Sequence, residues 1–173
     1  MGPVHVHSVR YKARISSSLF HAVHPNTTQI PLAMTSLPLA GKVAIVTGSS
    51  RGIGAAIAAR LASDGANVVV NYVNGAKHAE DVVNSINSLR PSAVAIKADA
   101  ASVKDMQALL DQTLSTFGRV DILVLNAGIA GTRALSEIDE TYYASHFDAN
   151  VKGPLFLVKA AAPYLEAGSC MYL

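Results

Sequence analysis

From Leu39 onward, short apolar runs rich in β-branched residues alternate with longer segments in which apolar residues recur at helical spacing. Residues 43–46, 68–71, 93–98 and 122–125 predict four strands, and residues 169–173 the beginning of a fifth. Between them, residues 55–63 predict a helix closed by Gly65 after Asp64, and residues 76–89 a helix ended by Pro91. Ser102, with Asp105 three residues on, forms a capping-box pattern that opens a helix to Phe117, stopped by Gly118. Residues 139–165 predict a long helical stretch that Gly153 and Pro154 bend or interrupt. Strand and helix in alternation indicate βαβ units, and right-handed crossovers place helices on both faces of a parallel sheet. The predicted architecture is a doubly wound α/β domain over residues 39–173, truncated after about five strands, behind an N-terminal extension of residues 1–38.

The connection between the first strand and the first helix carries the chemistry. Residues 47–54 read T-G-S-S-R-G-I-G, with an apolar strand before them and an alanine-rich helix after. Gly48 lets the chain turn out of the strand, Gly52 lets backbone approach a pyrophosphate, and Gly54 lets the helix pack close to the sheet. The free N–H groups and positive dipole end of that helix then face phosphate. Ser50, Arg51 and Ile53 lie in the same turn and count with Thr47 among the candidate cofactor-binding residues.

Composition adds limits. The chain has 173 residues, 50% of them hydrophobic and 15% charged, which is enough for one domain with a real core. Its formal charge of +2 is too small to argue for a nucleic-acid partner. No apolar stretch approaches the length of a membrane-spanning helix, so no membrane partner is expected. Cys170 is the only cysteine, which excludes an internal disulfide and a cysteine-rich zinc site and favours a reducing, cytoplasmic setting. Residues 1–33 differ from the rest. They carry His5, His7, His21 and His24 with Arg10, Lys12 and Arg14, and no acidic residue occurs in the chain before Asp64. That segment reads either as an organellar transit peptide or as translation from an upstream Met, with Met34 as the functional start. Nothing in its pattern fixes the geometry of the histidines, and no metal site is expected.

The chain resembles the short-chain dehydrogenase/reductase family of Rossmann-fold oxidoreductases, over its residues 39–173 and in the N-terminal half of the family's fold. Thr47, Gly48, Gly52 and Gly54 match the family's T-G-x-x-x-G-x-G. Asp99, after the third strand, matches the acidic residue that bonds the adenine amino group. Asn126, Ala127 and Gly128 match the N-A-G after the fourth strand, with Leu125 where the family normally has a second Asn. Asn150 matches the Asn of the bent helix that belongs to the catalytic set. Taken singly, Asp99 also reads as a turn cap, Asn126 to Gly128 as a turn, Asn150 as a solvated helix residue and Arg51 as a screened surface arginine. At the end of the second strand, where a carboxylate would bind the ribose of NAD and repel a 2′-phosphate, the chain has Asn71 and Tyr72. With Arg51 able to pair with that phosphate, the resemblance implies NADP(H) over NAD(H).

The family's reaction is hydride transfer between nicotinamide and a carbonyl or alcohol, with a Tyr as general acid/base and a Lys that lowers its pKa, arranged Y-x-x-x-K. No tyrosine here is followed by a lysine four residues on, and Ser169 precedes the fifth strand instead of following it. The expectation is therefore a cofactor-binding half. The full-length form would reduce a small carbonyl compound or oxidise an alcohol, with homo-oligomers possible. A non-catalytic dinucleotide-binding or interaction protein derived from the family is the alternative. A sheet that stops at its fifth strand would leave an open edge, from which poor folding in isolation is expected.

Overall fold

Val43, Ala44, Ile45 and Val46 are all at most 1% exposed, and this run is continuously apolar because it forms a strand covered on both faces. In the computed structural model, which describes residues 37–172, that strand is β1 (Val43–Val46). It is followed by α1 (Gly52–Ser63), β2 (Asn67–Tyr72), α2 (Ala76–Asn87), β3 (Ala93–Lys97), α3 (Val103–Phe117) and β4 (Ile122–Val124). After a loop with a short 3₁₀ turn at Leu135–Glu137 come α4 (Glu140–Phe147), α5 (Gly153–Ala161) and β5 (Cys170–Tyr172). The expectations for the N-terminal extension, its histidines and Met34 lie outside the described residues.

All strand pairs are parallel, in the order β3-β2-β1-β4-β5. Side chains alternate between two apolar layers. Ala44, Val46, Val68 and Val70 pack with Ala58, Ala62 and Ile86 of α1 and α2. Ile45, Val69 and Leu123 pack with Leu109 and Leu110 of α3 and Leu157 of α5. The sheet is therefore doubly wound, and its order reverses between β1 and β4, which opens a crevice at the carboxyl ends of those strands. Among the described residues β5 is paired with β4 alone, and Met171 and Tyr172 on it are 52% and 60% exposed.

Local signals set several boundaries as expected and tertiary contacts moved others. Ser102 accepts the Asp105 N–H at 3.2 Å and Gly118 ends α3 at φ 76°. α2 stops at Asn87, short of residue 89, because the Asn87 carboxamide accepts the N–H groups of Ser92 and Ala93, both at 2.8 Å, and so turns the chain into β3. The long helix expected over residues 139–165 is divided just ahead of Gly153 and Pro154. A π turn, Asp148–Lys152, separates α4 from α5, and the Gly153 N–H bonds to the Asp148 carbonyl five residues back. Pro154 has no N–H to give the Asn150 carbonyl, so the ladder shifts register before it, and Pro154 then sits in the first turn of α5. Gly153 is there for close approach: a Cβ on it would land inside the Ala100 carbonyl oxygen.

At the opposite end of the sheet, Asp121 has a side chain 2% exposed and fully engaged. Arg119 donates to it in bidentate fashion at 2.6 and 2.8 Å, and Lys42 Nζ and the Val43 N–H each donate at 3.0 Å. Burial alone would push this carboxyl up. The hydrogen bonds from Arg119, Lys42 and Val43 outweigh it and hold the pKa at about 2. The folded pKa lies below the unfolded one, so the stabilisation is complete above roughly pH 4 and lost as pH falls through 2, an effect on the order of 2 kcal/mol. Denaturant melts from pH 6 to pH 2 should show this loss in the wild type. Asp121→Asn should be less stable at pH 6 and lack that part of the pH dependence; parallel curves would refute the assignment.

Candidate functional site

Thr47 and Gly48 leave the end of β1 at the crevice between β1 and β4, and neighbouring strands clamp the turn they form. On the β4 side, Asn126 Nδ2 donates to the Thr47 and Gly48 carbonyls at 2.9 and 3.2 Å. The Ala127 N–H donates to Thr47 Oγ1 at 3.0 Å, and that hydroxyl donates to the Val124 carbonyl at 3.3 Å. On the β2 side, Asn71 Oδ1 accepts the Gly48 N–H at 3.0 Å. Ser49 Oγ donates to the Val46 carbonyl at 2.6 Å and accepts the Asn71 N–H at 3.0 Å. Gly48 and Gly52 take the left-handed conformation, φ 62° and 59°, that lets the chain reverse into α1. Thr47, Ser49 and Gly54 are buried beneath the turn, and Ile53 is 76% exposed at the start of α1.

Above the turn lies a half-open cleft of about 380 Å³, a size suited to small ligands. Gly48, Ser50 and Arg51 line it from the turn, Tyr72, Val73 and Asn74 from the end of β2, Asp99 and Ala100 from β3, and Asn126 to Ile129 from β4. Among the described residues no side chain caps the N-terminus of α1, and its first turn holds no acid, whereas Ser102 and Asp139 cap α3 and α4. The donors and positive end of α1 therefore remain free for an anion. Arg51 is exposed and makes no hydrogen bond or ion pair among the described residues. Asp99 is the one carboxylate in the lining among the described residues; its Oδ1 accepts the Ala101 N–H at 2.9 Å. A dinucleotide's phosphates fit this donor set. No group of three or more His, Cys, Asp or Glu is placed to hold a metal among the described residues.

A model of the short chain dehydrogenase family matches residues 42–170. The chain belongs to the short-chain dehydrogenase family. An uncharacterised oxidoreductase of Methylorubrum extorquens is 44% identical over 130 residues, which cover 75% of this chain and 52% of that protein. A hydroxynaphthalene reductase of Aspergillus fumigatus is 40% identical over 139 residues, covering 80% of this chain and 51% of the relative. Among solved structures, a short chain dehydrogenase from Burkholderia cenocepacia in complex with NADP superposes with a TM-score of 0.75 at 41% identity, over 78% of this chain and 55% of that one. The chain thus spans about half the length of the relatives it matches.

Within this short-chain dehydrogenase frame the candidate residues separate by depth. Gly48, Ser50, Arg51, Asp99, Asn126, Ala127 and Gly128 line the cleft, and Thr47 and Gly54 support it from below. Asn71, expected at the cofactor's edge, is 1% exposed and is not among the residues that line the cleft, whereas its neighbour Tyr72 at the end of β2 is. Asn150, in the π turn, accepts the Ile129 N–H at 2.8 Å and donates to the Ile129 carbonyl at 2.9 Å, so it fastens the loop after Gly128. Sequence reasoning missed Ser49, Val73, Asn74 and Ala149; the last three border the cleft, and nothing in their local pattern marks them. No helix among the described residues is long and apolar enough to cross a membrane.

Proposed function

We propose that these residues bind NADP(H) and serve a short-chain reductase reaction, hydride transfer between nicotinamide and a small carbonyl or alcohol, in a protein that also supplies the family's Tyr and Lys. The observation that carries the cofactor choice is Arg51 on the rim of a cleft whose β2 side holds no carboxylate. The NADP bound to the Burkholderia relative supports it. The bound cofactor would donate the hydride in reduction of a carbonyl and accept it in oxidation of an alcohol. The chain's own groups do the holding: the N–H groups opening α1 take the pyrophosphate, Arg51 pairs with the 2′-phosphate, and Asp99 accepts from the adenine amino group. Asn150 keeps the loop at Ile129 in place beside them.

A second reading, a dinucleotide-binding protein without catalysis, uses the same cleft and the same holding residues. Turnover of a carbonyl substrate by the chain itself would exclude that reading. Calorimetric titration of the chain with NADPH and NADH tests the cofactor choice. Arg51→Ala should raise the NADPH Kd by roughly 10- to 100-fold, the worth of a charge-assisted pair, and leave the NADH Kd unchanged. Equal losses for both would remove Arg51 from the 2′-phosphate.

A further inference from the structure

The geometry points to Asn71 as a positioning residue that registers the two ends of the cleft, a role that rests on the NADP(H)-binding reading. The side chain is 1% exposed, yet every polar group on it is used. Oδ1 accepts the Gly48 N–H at 3.0 Å, and Nδ2 donates to the Ala98 and Ile96 carbonyls at 3.0 and 3.3 Å. The backbone of the same residue donates to Ser49 Oγ at 3.0 Å and accepts the Ser49 N–H at 2.9 Å. β1 and β3 are not neighbours in the sheet, since β2 lies between them. The Asn71 carboxamide bridges that gap. On one side it holds the turn that faces phosphate, and on the other the residue immediately before Asp99.

Only a side chain with an acceptor at one corner and two N–H donors at the other satisfies both sides at this position. A ligand that touches the turn and Asp99 together feels the distance between them; a ligand that touches one end does not. Asn71 therefore sets affinity for the whole dinucleotide without touching it.

Asn71→Asp keeps an acceptor for Gly48 and sets a carboxylate oxygen against two carbonyls, which pushes the β3 exit away. With the full chain held well below its Tm, the variant's Kd for NADPH should rise by about tenfold or more, and its Kd for adenosine, which carries no phosphate for the turn or Arg51 and so reaches only the Asp99 end, should stay within roughly twofold of wild type. Leu110→Ala, buried in the α3 layer, should lower Tm yet leave both Kd values unchanged. Asn71→Ser, smaller and neutral, should show the same split between ligands and serves if the Asp variant does not fold. An unchanged NADPH Kd, or equal weakening of both ligands, overturns the role. Recovery of neither variant in folded form overturns it too, because the fold would then require the residue. If wild-type protein binds neither NADPH nor NADH, it is the cofactor reading that fails.

Discussion

Gly54→Ala is expected to raise the Kd for NADPH by roughly 10- to 100-fold, the worth of about 1.5–3 kcal/mol of charge-assisted hydrogen bonding to phosphate. Its Cβ would lie 2.6 Å from Asn126 Nδ2, 2.7 Å from the Gly48 carbonyl oxygen and 2.8 Å from Ser49 Cα. Two of these are backbone atoms of the turn itself, and the third is the donor that holds the Thr47 and Gly48 carbonyls. None is the free end of a flexible side chain, so α1 must slide away from the turn and carry its free N–H groups with it. The stability cost of such overpacking is about 1–3 kcal/mol, small enough for a folded variant to be titrated. Calorimetry with NADPH beside a denaturant melt separates the two effects. A Gly54→Ala protein with wild-type Kd would show that the close packing of α1 on the turn does not position the phosphate donors.

The second large effect is on stability. Gly153→Ala should destabilise by about 3 kcal/mol or more, at the upper end of overpacking costs, because the added methyl coincides with the Ala100 carbonyl oxygen. α5 carries Leu157 and Ala161, both 0% exposed, into the layer shared with α3, so it cannot withdraw without opening that layer. Gly118→Ala supplies the contrast. Its Cβ meets nothing within 4 Å, and the cost is that of the left-handed backbone alone, about 1 kcal/mol. Melting both variants under the same conditions gives the comparison, and equal losses would mean that α5 can shift to make room. Because Ala100 and Ala149 both border the cleft, Gly153→Ala should also weaken NADPH binding in whatever protein remains folded.

The strands, α3 and the glycine turn were legible in the sequence because their signals are local. β1 reads as an unbroken apolar run, Ser102 and Gly118 mark both ends of α3, and the glycines of residues 47–54 sit between an evident strand and an evident helix. The short-chain dehydrogenase family followed from those motifs in order. Asn71 was expected at the cofactor's edge from its place at the end of β2; its burial comes from partners 23 to 27 residues away, Gly48, Ile96 and Ala98, which no local pattern announces. The interruption expected from Gly153 and Pro154 is present, and the ladder changes register in the five residues before them because Pro154 has no N–H for the Asn150 carbonyl.

Periodicity, caps and turn chemistry act over a few residues, and they determined by themselves the doubly wound sheet and the phosphate-facing turn. The clamps that shape the cleft join residues far apart in the chain: Asn71 to Gly48 across 23 positions, Asn126 to Thr47 across 79, and Asn150 to Ile129 across 21. Whether an Asn meets a ligand or a neighbouring strand depends on strand order and register, which fix where distant backbone groups fall. That choice was made only when the sheet assembled, and it turned Asn71 inward to hold Gly48 and left Arg51 facing the cleft.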